Sequence, residues 1–197
     1  LHPQQNVLPA KFSWSQAKWR LGGYDPGGDD PTGMIAVGVS TDERFHQFAE
    51  HCKYGNAMSA HDVAEWFLAI HKQAPFDLIF FDPSQAAMGE TLALDYGLPM
   101  APANNDRVAG VSHFAWLLKN RRWTFSPGIG KSAETLRQLG TYWKRPRKDG
   151  QQRVSPMETS TPSWHHGDLP DCCRYVALSV IDGLPRVNRE GLRLEFA

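Results

Sequence analysis

The stretch Asp77-Leu78-Ile79-Phe80-Phe81-Asp82 is the most informative part of this 197-residue sequence. Four consecutive large apolar residues between two aspartates predict a short strand that is buried on both faces of a sheet. A sheet that buries such a strand needs helices on either side of it. The stretch therefore indicates an α/β fold and places Asp82 at the end of a buried strand.

The rest of the chain predicts strands first and then alternating elements. Residues Trp19–Asp25, Met34–Val39 and Arg44–His51 are strand-like and are separated by turn formers, which predicts a meander. The spacing of apolar residues predicts helices over about 60–73, 88–96, 108–120, 132–143 and 168–181, and residues 98–101 are a further strand candidate. This order predicts a mixed central sheet with helices on both faces.

The composition excludes several classes of protein. Lys+Arg and Asp+Glu both number 21 and 41% of the residues are hydrophobic, which fits a single globular domain. No uninterrupted run of about 18 apolar residues occurs, so the sequence predicts no membrane-spanning helix. The three cysteines, Cys52, Cys172 and Cys173, fit neither a disulfide framework nor a zinc-ligand spacing. We interpret Cys172 and Cys173 as part of a buried helix face.

The neutral total charge hides a basic segment, Lys119–Arg153, which contains ten basic and two acidic residues. The rest of the chain therefore has a net charge of −8. The segment is either a solvated helix face with a charged loop or a phosphate-binding flank beside an acidic site. On the second interpretation the candidate DNA contacts are Lys119, Arg121, Arg122, Lys131, Lys144, Arg145, Arg147 and Lys148.

Four aspartates stand out by their positions. Asp25 and Asp82 each stand at the end of a predicted strand, and Asp168 opens the last predicted helix with Asp171 three residues later. If the two strands are parallel neighbours, Asp25 and Asp82 emerge at one edge of the sheet, where Asp168 would complete a cluster. Each residue also has an ordinary interpretation: a turn aspartate, a strand exit, a helix N-cap, and for Asp171 an ion pair with Arg174.

Carboxylates gathered in this way repel one another, so a cation must neutralise them. Oxygen ligands without thiolates favour Mg²⁺ or Mn²⁺. Two such ions about 4 Å apart activate water and stabilise the leaving oxygen in phosphodiester hydrolysis. The cluster thus predicts a two-metal site for phosphoryl transfer.

Three other features are weaker candidates. Gly130-Lys131-Ser132 shows only the end of a phosphate-loop motif, which favours an ordinary helix start. His165 and His166 precede the last predicted helix, where either one could touch a metal ligand or a phosphate. Trp116, Trp123 and Trp143 interleave with the basic segment and fit either base stacking or core packing.

Three short motifs resemble the nuclease motifs of tailed-phage terminase large subunits. They are Gly23-Tyr24-Asp25-Pro26-Gly27-Gly28, the run Leu78-Ile79-Phe80-Phe81-Asp82-Pro83-Ser84, and the stretch His166–Leu178 with Asp168, Asp171 and Arg174-Tyr175. The resemblance extends over residues 19–181. Gly167 and Cys172-Cys173 depart from the family pattern, which leaves open whether Asp168 or Asp171 is the third ligand.

The resemblance implies an RNase H-like fold and an endonuclease that cuts concatemeric viral DNA during genome packaging. It implies Asp25, Asp82 and Asp168 as catalytic metal ligands, with Asp171 as a further ligand. Residues 1–17 would be a linker from an upstream ATPase domain, and residues 18–197 the nuclease domain. Implied partners are double-stranded DNA, the ATPase motor, the portal and the small terminase subunit, in the host cytoplasm.

Two alternatives remain open from the sequence. The same fold also occurs in Holliday-junction resolvases, integrases and RNase H relatives, which differ from terminases in substrate. A catalytically inactive DNA- or portal-docking module would use the basic segment without the aspartates.

Overall fold

A computed structural model describes residues 6–7, 13–27, 31–55, 57–126, 131–142 and 168–181. Within them the elements are β1 (Trp19–Asp25), β2 (Thr32–Val39), β3 (Phe45–Lys53), α1 (Ala60–His71), β4 (Leu78–Phe81), α2 (Ala86–Tyr96), β5 (Met100–Pro102), α3 (Arg107–Lys119), β6 (Trp123–Phe125), α4 (Ala133–Tyr142) and α5 (Asp168–Ser179). The predicted loop over 145–163 and the tail over 187–196 lie outside these residues.

The six strands form one mixed sheet in the order β5-β4-β1-β2-β3-β6. Strands β1, β2 and β3 pair antiparallel as the predicted meander, while β4 and β6 join β1 and β3 in parallel and β5 joins β4 in parallel. Every strand except β2 therefore runs in one direction. We call the side where these five strands end the carboxyl edge, and the side where they start the amino edge.

Strand β4 is buried on both faces, as its sequence predicts. Leu78 and Phe80 pack into a core that also contains residues of α3, α4 and α5. Ile79 and Phe81 pack into a second core that contains residues of α1 and α2. Because successive side chains of a strand point to opposite faces, four consecutive apolar residues supply both cores. The prediction of helices on both faces is confirmed.

Local sequence signals explain most element boundaries. Ser59 and Asp62 form a capping box at the start of α1, in which the Asp62 amide donates to the Ser59 hydroxyl and the Ser59 amide donates to the Asp62 carboxylate. Gly97 ends α2 in the left-handed conformation with φ of 67°. Helices α1 and α5 each end two residues earlier than predicted, at His71 and Ser179.

Strand β6 is absent from the sequence-based prediction. Its three residues, Trp123–Phe125, are all buried and pair in parallel with Phe45–Gln47 of β3. Three residues are too few to show the alternation by which a strand is recognised in sequence. The correction matters for function, because β6 lies near the start of the basic segment and buries three of its residues.

Parts of the N-terminal segment lie against the sheet and its helices. The Trp14 indole donates to the Ala74 carbonyl at 2.9 Å, and the Asn6 side-chain amide donates to the Leu118 carbonyl at 2.8 Å. The division into a linker over 1–17 and a domain over 18–197 remains a prediction. None of the helices in the described ranges is long and apolar enough to span a bilayer.

Candidate active site at the carboxyl edge

The register of two parallel strands brings Asp25 and Asp82 together. Tyr24 of β1 lies opposite Phe81 of β4, so the residues that follow them, Asp25 and Asp82, emerge together at the carboxyl edge. The Tyr175 hydroxyl of α5 lies 3.3 Å from Asp25 Oδ1 and 3.4 Å from Asp82 Oδ2, and its one proton is shared between them. Both carboxylates therefore face the same hydroxyl group, as the sequence-based hypothesis of parallel neighbours requires.

Two glycines bring the start of α5 onto the sheet. A β-carbon at Gly23 would lie 2.7 Å from the Cys172 carbonyl oxygen, and one at Gly33 would lie 3.0 Å from the Asp168 carbonyl carbon. Gly33 lies opposite Asp25 in the β1–β2 ladder. Because no side chain intervenes, Asp168 comes to lie next to the strand end that carries Asp25.

The electrostatics of Asp25 show that the other three aspartates act on it. Burial raises the pKa of Asp25 well above its ordinary value, and the charges of Asp171, Asp168 and Asp82 raise it further. Of the charges acting on this carboxyl, that of Arg174 lowers its pKa. The site thus disfavours another negative charge and favours a positive one.

One buried cation lies among these acids. Arg174 is 3% exposed, and its Nε donates to Asp171 Oδ1 at 3.1 Å. Its Nη1 donates to Asn105 Oδ1 at 2.9 Å, and the Asn105 amide in turn donates to Asp82 Oδ1 at 3.2 Å. The ordinary interpretation of Asp171 as the ion-pair partner of Arg174 is confirmed.

Sequence reasoning did not identify Asn105 and Tyr175 as site residues. Asn105 follows β5, which ends at the same edge as β1 and β4, so strand order combined with its position after a strand would have indicated it. Tyr175 lies about one helical turn after Asp171 and two turns after Asp168, and its hydroxyl faces the strand ends that carry Asp25 and Asp82. Neither residue type suggests metal chemistry on its own.

The donor set fits a hard divalent cation. The four aspartates offer only oxygen, whereas Cys172 and Cys173 are fully buried and burial raises the pKa of each thiol. Within the described part of the chain, no three His, Cys, Asp or Glu side chains are grouped closely enough to hold a metal ion as they stand. Binding a cation therefore requires the carboxylates to converge further than they do here.

The structure places three of the predicted DNA contacts at the amino edge of the sheet. Arg122 immediately precedes β6, and its carbonyl accepts from the Phe45 amide at the start of β3, so Lys119, Arg121 and Arg122 lie at the amino edge. The seven residues of β1 span about 20 Å between the two edges. Lys131 is exposed and lies after β6, whereas Lys144, Arg145, Arg147 and Lys148 lie outside the described residues.

The structure describes some of the weaker sequence candidates and leaves the others outside the described residues. The Ser132 hydroxyl is buried and donates to the Gln47 carbonyl, which makes it part of the start of α4. Trp123 is a core residue, and Trp116 is 49% exposed. Trp143, His165 and His166 lie outside the described residues.

A second buried acid, Glu50, lies towards the same edge but has a different environment. Its carboxylate accepts hydrogen bonds from the Glu134 and Thr135 amides at 2.6 and 2.9 Å, from the Thr135 hydroxyl at 2.6 Å and from the Gln47 side chain at 3.3 Å. It therefore satisfies the free amides of the first turn of α4. This carboxylate has a structural role.

Comparisons with known proteins identify the fold. No family model and no curated protein sequence matches this chain. Among solved structures, the ADP complex of the large terminase of a thermophilic bacteriophage matches 93% of the chain with a TM-score of 0.73 and 17% identity. The chain spans 44% of that protein.

Two isolated nuclease domains match over most of both chains. The nuclease domain of the bacteriophage SPP1 large terminase g2p, solved with bound Mn, has a TM-score of 0.67 at 15% identity and matches 89% of this chain and 97% of its own. The nuclease domain of the P22 large terminase has a TM-score of 0.61 at 15% identity and matches 89% and 88%. The chain therefore has the fold of phage large terminase nuclease domains.

Proposed function

We propose that this domain is a divalent-metal-dependent endonuclease that hydrolyses the backbone of duplex DNA during phage genome packaging. The observation that carries the proposal is the meeting of Asp25 and Asp82 at one hydroxyl group, with Asp168 next to Asp25. Support also comes from the fold shared with terminase nuclease domains, one of which is solved with bound Mn. A carboxylate cluster on that fold is the group of ligands that phosphodiester hydrolysis requires.

The proposed ligands are Asp25, Asp82 and Asp168, and Asp171 is a further ligand. We favour Asp168 over Asp171 as the third ligand, because the Asp171 carboxylate already binds the Arg174 guanidinium. Two Mg²⁺ or Mn²⁺ ions would activate the attacking water and stabilise the leaving oxygen. The aspartates would hold the ions, and the Tyr175 hydroxyl and the Asn105 amide contact the carboxylates of Asp25 and Asp82.

The proposed partners follow from this activity. Double-stranded DNA is the proposed partner, and Lys131, Lys144, Arg145, Arg147 and Lys148 are among its proposed contacts. Lys119, Arg121 and Arg122 lie about 20 Å from the candidate site across the sheet, so we expect them to contact DNA only outside the cleavage site. In a full-length protein the domain would work with an ATPase motor, the portal and the small terminase subunit in the host cytoplasm.

Plasmid cleavage tests the proposal. Supercoiled plasmid is incubated with the wild-type chain, with Asp82→Asn and with the matched control Asp95→Asn, which changes an exposed aspartate of α2. We expect nicked and linear products with Mn²⁺ or Mg²⁺ for the wild type and the control, and none with EDTA. Cleavage by Asp82→Asn at the wild-type rate would refute the site.

Substrate preference separates the proposal from its alternatives. A terminase-like nuclease cuts linear duplex with little sequence preference, and binding weakens as salt rises. A rate far higher on four-way junctions or RNA–DNA hybrids would instead indicate a resolvase or an RNase H relative. DNA binding without any metal-dependent cleavage, unchanged when all three aspartates are replaced, would indicate a docking module.

A further inference from the structure

Arg174 connects most of the polar groups at the candidate site. Its side chain is 4% exposed and reaches Asp171 through Nε and Asn105 through Nη1. The guanidinium carbon also lies 4.5 Å from the centre of the Tyr175 ring. A planar guanidinium with several fixed N–H groups can hold two partners at once, which an ammonium group cannot do with the same geometry.

Asn105 transmits the position of Arg174 to Asp82. Its amide oxygen accepts from Arg174, so its amide nitrogen is directed at Asp82 Oδ1, 3.2 Å away. The same oxygen of Asp82 accepts from the Ser84 amide at 2.9 Å, and the other oxygen faces the Tyr175 hydroxyl. Asn105 and Tyr175 thus contact the two different oxygens of Asp82, and both residues also contact Arg174.

Close packing and a backbone hydrogen bond restrain the parts of this network. A β-carbon at Gly110 of α3 would lie 2.4 Å from Arg174 Cγ, so the arginine stem occupies space that exists because residue 110 is glycine. The loop that carries Asn105 is tied to α5, since the Asn104 amide donates to the Ser179 hydroxyl at 2.9 Å. Helix α3, helix α5 and the loop after β5 are therefore fixed relative to one another at Asp82.

We propose that Asn105 is a positioning residue of this site, whose amide is fixed by Arg174 and keeps the Asp82 carboxylate directed towards Asp25, the side on which a divalent cation would bind. The proposal rests on the proposed function for the cation site. It adds a residue from the loop after β5, which none of the three sequence motifs includes. Asn105 itself is exposed, so its replacement leaves the core of the protein intact.

Mn²⁺ binding by the 197-residue chain tests the proposal without relying on activity. Isothermal titration with MnCl₂ compares the wild type with Asn105→Ala and with the control Asn120→Ala, an exposed asparagine at the far end of α3. We expect Asn105→Ala to raise the Kd for Mn²⁺ about tenfold, the size of effect typical of groups that orient metal ligands. Asn120→Ala should bind as the wild type does.

Kinetics separate positioning from a contact with DNA. At a Mn²⁺ concentration near the wild-type Kd, we expect Asn105→Ala to lower kcat while KM for DNA changes less than twofold. An equal Kd for Mn²⁺ in Asn105→Ala and in the wild type would overturn the proposal. A wild-type chain that binds no Mn²⁺ would overturn the proposed function and this role together, so the two failures are distinguishable.

Variants of Arg174 test whether its geometry or only its charge is needed. Arg174→Lys keeps the positive charge but cannot hold Asp171 and Asn105 in the same fork, whereas Arg174→Gln loses both. We expect Arg174→Lys, which keeps the charge and loses the fork, to bind Mn²⁺ more weakly than the wild type and to resemble Asn105→Ala. Arg174→Gln also removes a positive charge that repels the cation, so Arg174→Lys is the variant that isolates the geometry. Wild-type affinity in Arg174→Lys would overturn the role of Arg174 in fixing Asn105.

Discussion

Two acidic side chains towards the carboxyl edge, Glu50 and Asp25, have opposite environments. Glu50 accepts hydrogen bonds from two backbone amides, a hydroxyl and a side-chain amide, so its carboxylate is satisfied by the protein. Asp25 lies instead among three other aspartates, and their charges raise its pKa beyond the effect of burial. Glu50 joins β3 to α4, whereas Asp25 contributes to a site whose negative charge favours a cation.

The comparison of Glu50 with Asp25 distinguishes a structural acid from a functional one. Burial raises the pKa of both groups, so burial does not distinguish them. What distinguishes them is the identity of the neighbours: hydrogen-bond donors in one case, further carboxylates in the other. Substitution of Glu50 should therefore lower stability, whereas substitution of Asp25 should lower activity.

The largest expected effect is on activity, in Asp25→Asn. We expect the rate of plasmid cleavage to fall more than about 100-fold, beyond the range found for groups that only orient ligands. The free energy of unfolding in EDTA should stay the same or rise, because a buried and repelled charge is removed. Urea denaturation with EDTA measures it, and a large loss of stability together with retained cleavage would remove the distinction from Glu50.

The reverse result is expected for Glu50→Ala. The substitution leaves the first amides of α4 and the Thr135 hydroxyl without their acceptor, and we expect a loss of about 3 kcal/mol in the free energy of unfolding. Cleavage per folded molecule should remain within about twofold of the wild type. The exposed control Glu65→Ala should change stability by less than about 0.5 kcal/mol, and a similar value for Glu50→Ala would refute its structural role.

An intermediate effect is expected for Gly33→Ala, which separates Asp168 from Asp25. The new β-carbon would lie 3.0 Å from the Asp168 carbonyl carbon, so the start of α5 must shift by a few tenths of an ångström. We expect about a tenfold loss of cleavage, since small displacements of catalytic groups lower rates steeply. The control Gly140→Ala has open space in α4 and should leave cleavage unchanged, and wild-type cleavage by Gly33→Ala would contradict the close approach.

The smallest expected effect is the contribution of His46, which joins β3 to β6, to the pH dependence of the free energy of unfolding. His46 is buried between the Thr124 and Ser126 hydroxyls, and burial lowers its pKa below the ordinary value of 6.5. The unfolded chain then binds a proton more readily than the folded protein, so the stability that neutral His46 contributes is lost as pH falls below 6.5. Urea denaturation between pH 8 and pH 5 should show a shallower decline in His46→Gln, and an identical decline would exclude His46 as a source.

The sequence predicts the centre of the fold better than its margins. Four apolar residues between two aspartates suffice for β4, because a strand buried on both faces must be apolar throughout. The three residues of β6 give no periodic signal, and they lie within the basic segment. The basic segment is therefore interrupted by a buried strand, with Lys119 and Arg121 before β6 and Lys131 after it in sequence.

The candidate site was predictable to the same extent. Asp25 and Asp82 follow strands whose parallel pairing could be guessed, and Asp168 opens a recognisable helix. Asn105 could not be identified, since its role depends on the position of β5 beside β4 and on the reach of Arg174. Contacts between side chains of distant segments follow from tertiary packing, which residue types in a single sequence do not encode locally.

Anomalous diffraction from a crystal of this chain soaked in Mn²⁺ shows directly whether the aspartates bind a cation. We expect an anomalous peak about 2.0–2.6 Å from carboxylate oxygens of Asp25 and Asp82, with Asp168 turned towards it. A well-ordered carboxyl edge with no peak there, or with Mn²⁺ bound only at other positions, would refute the metal site.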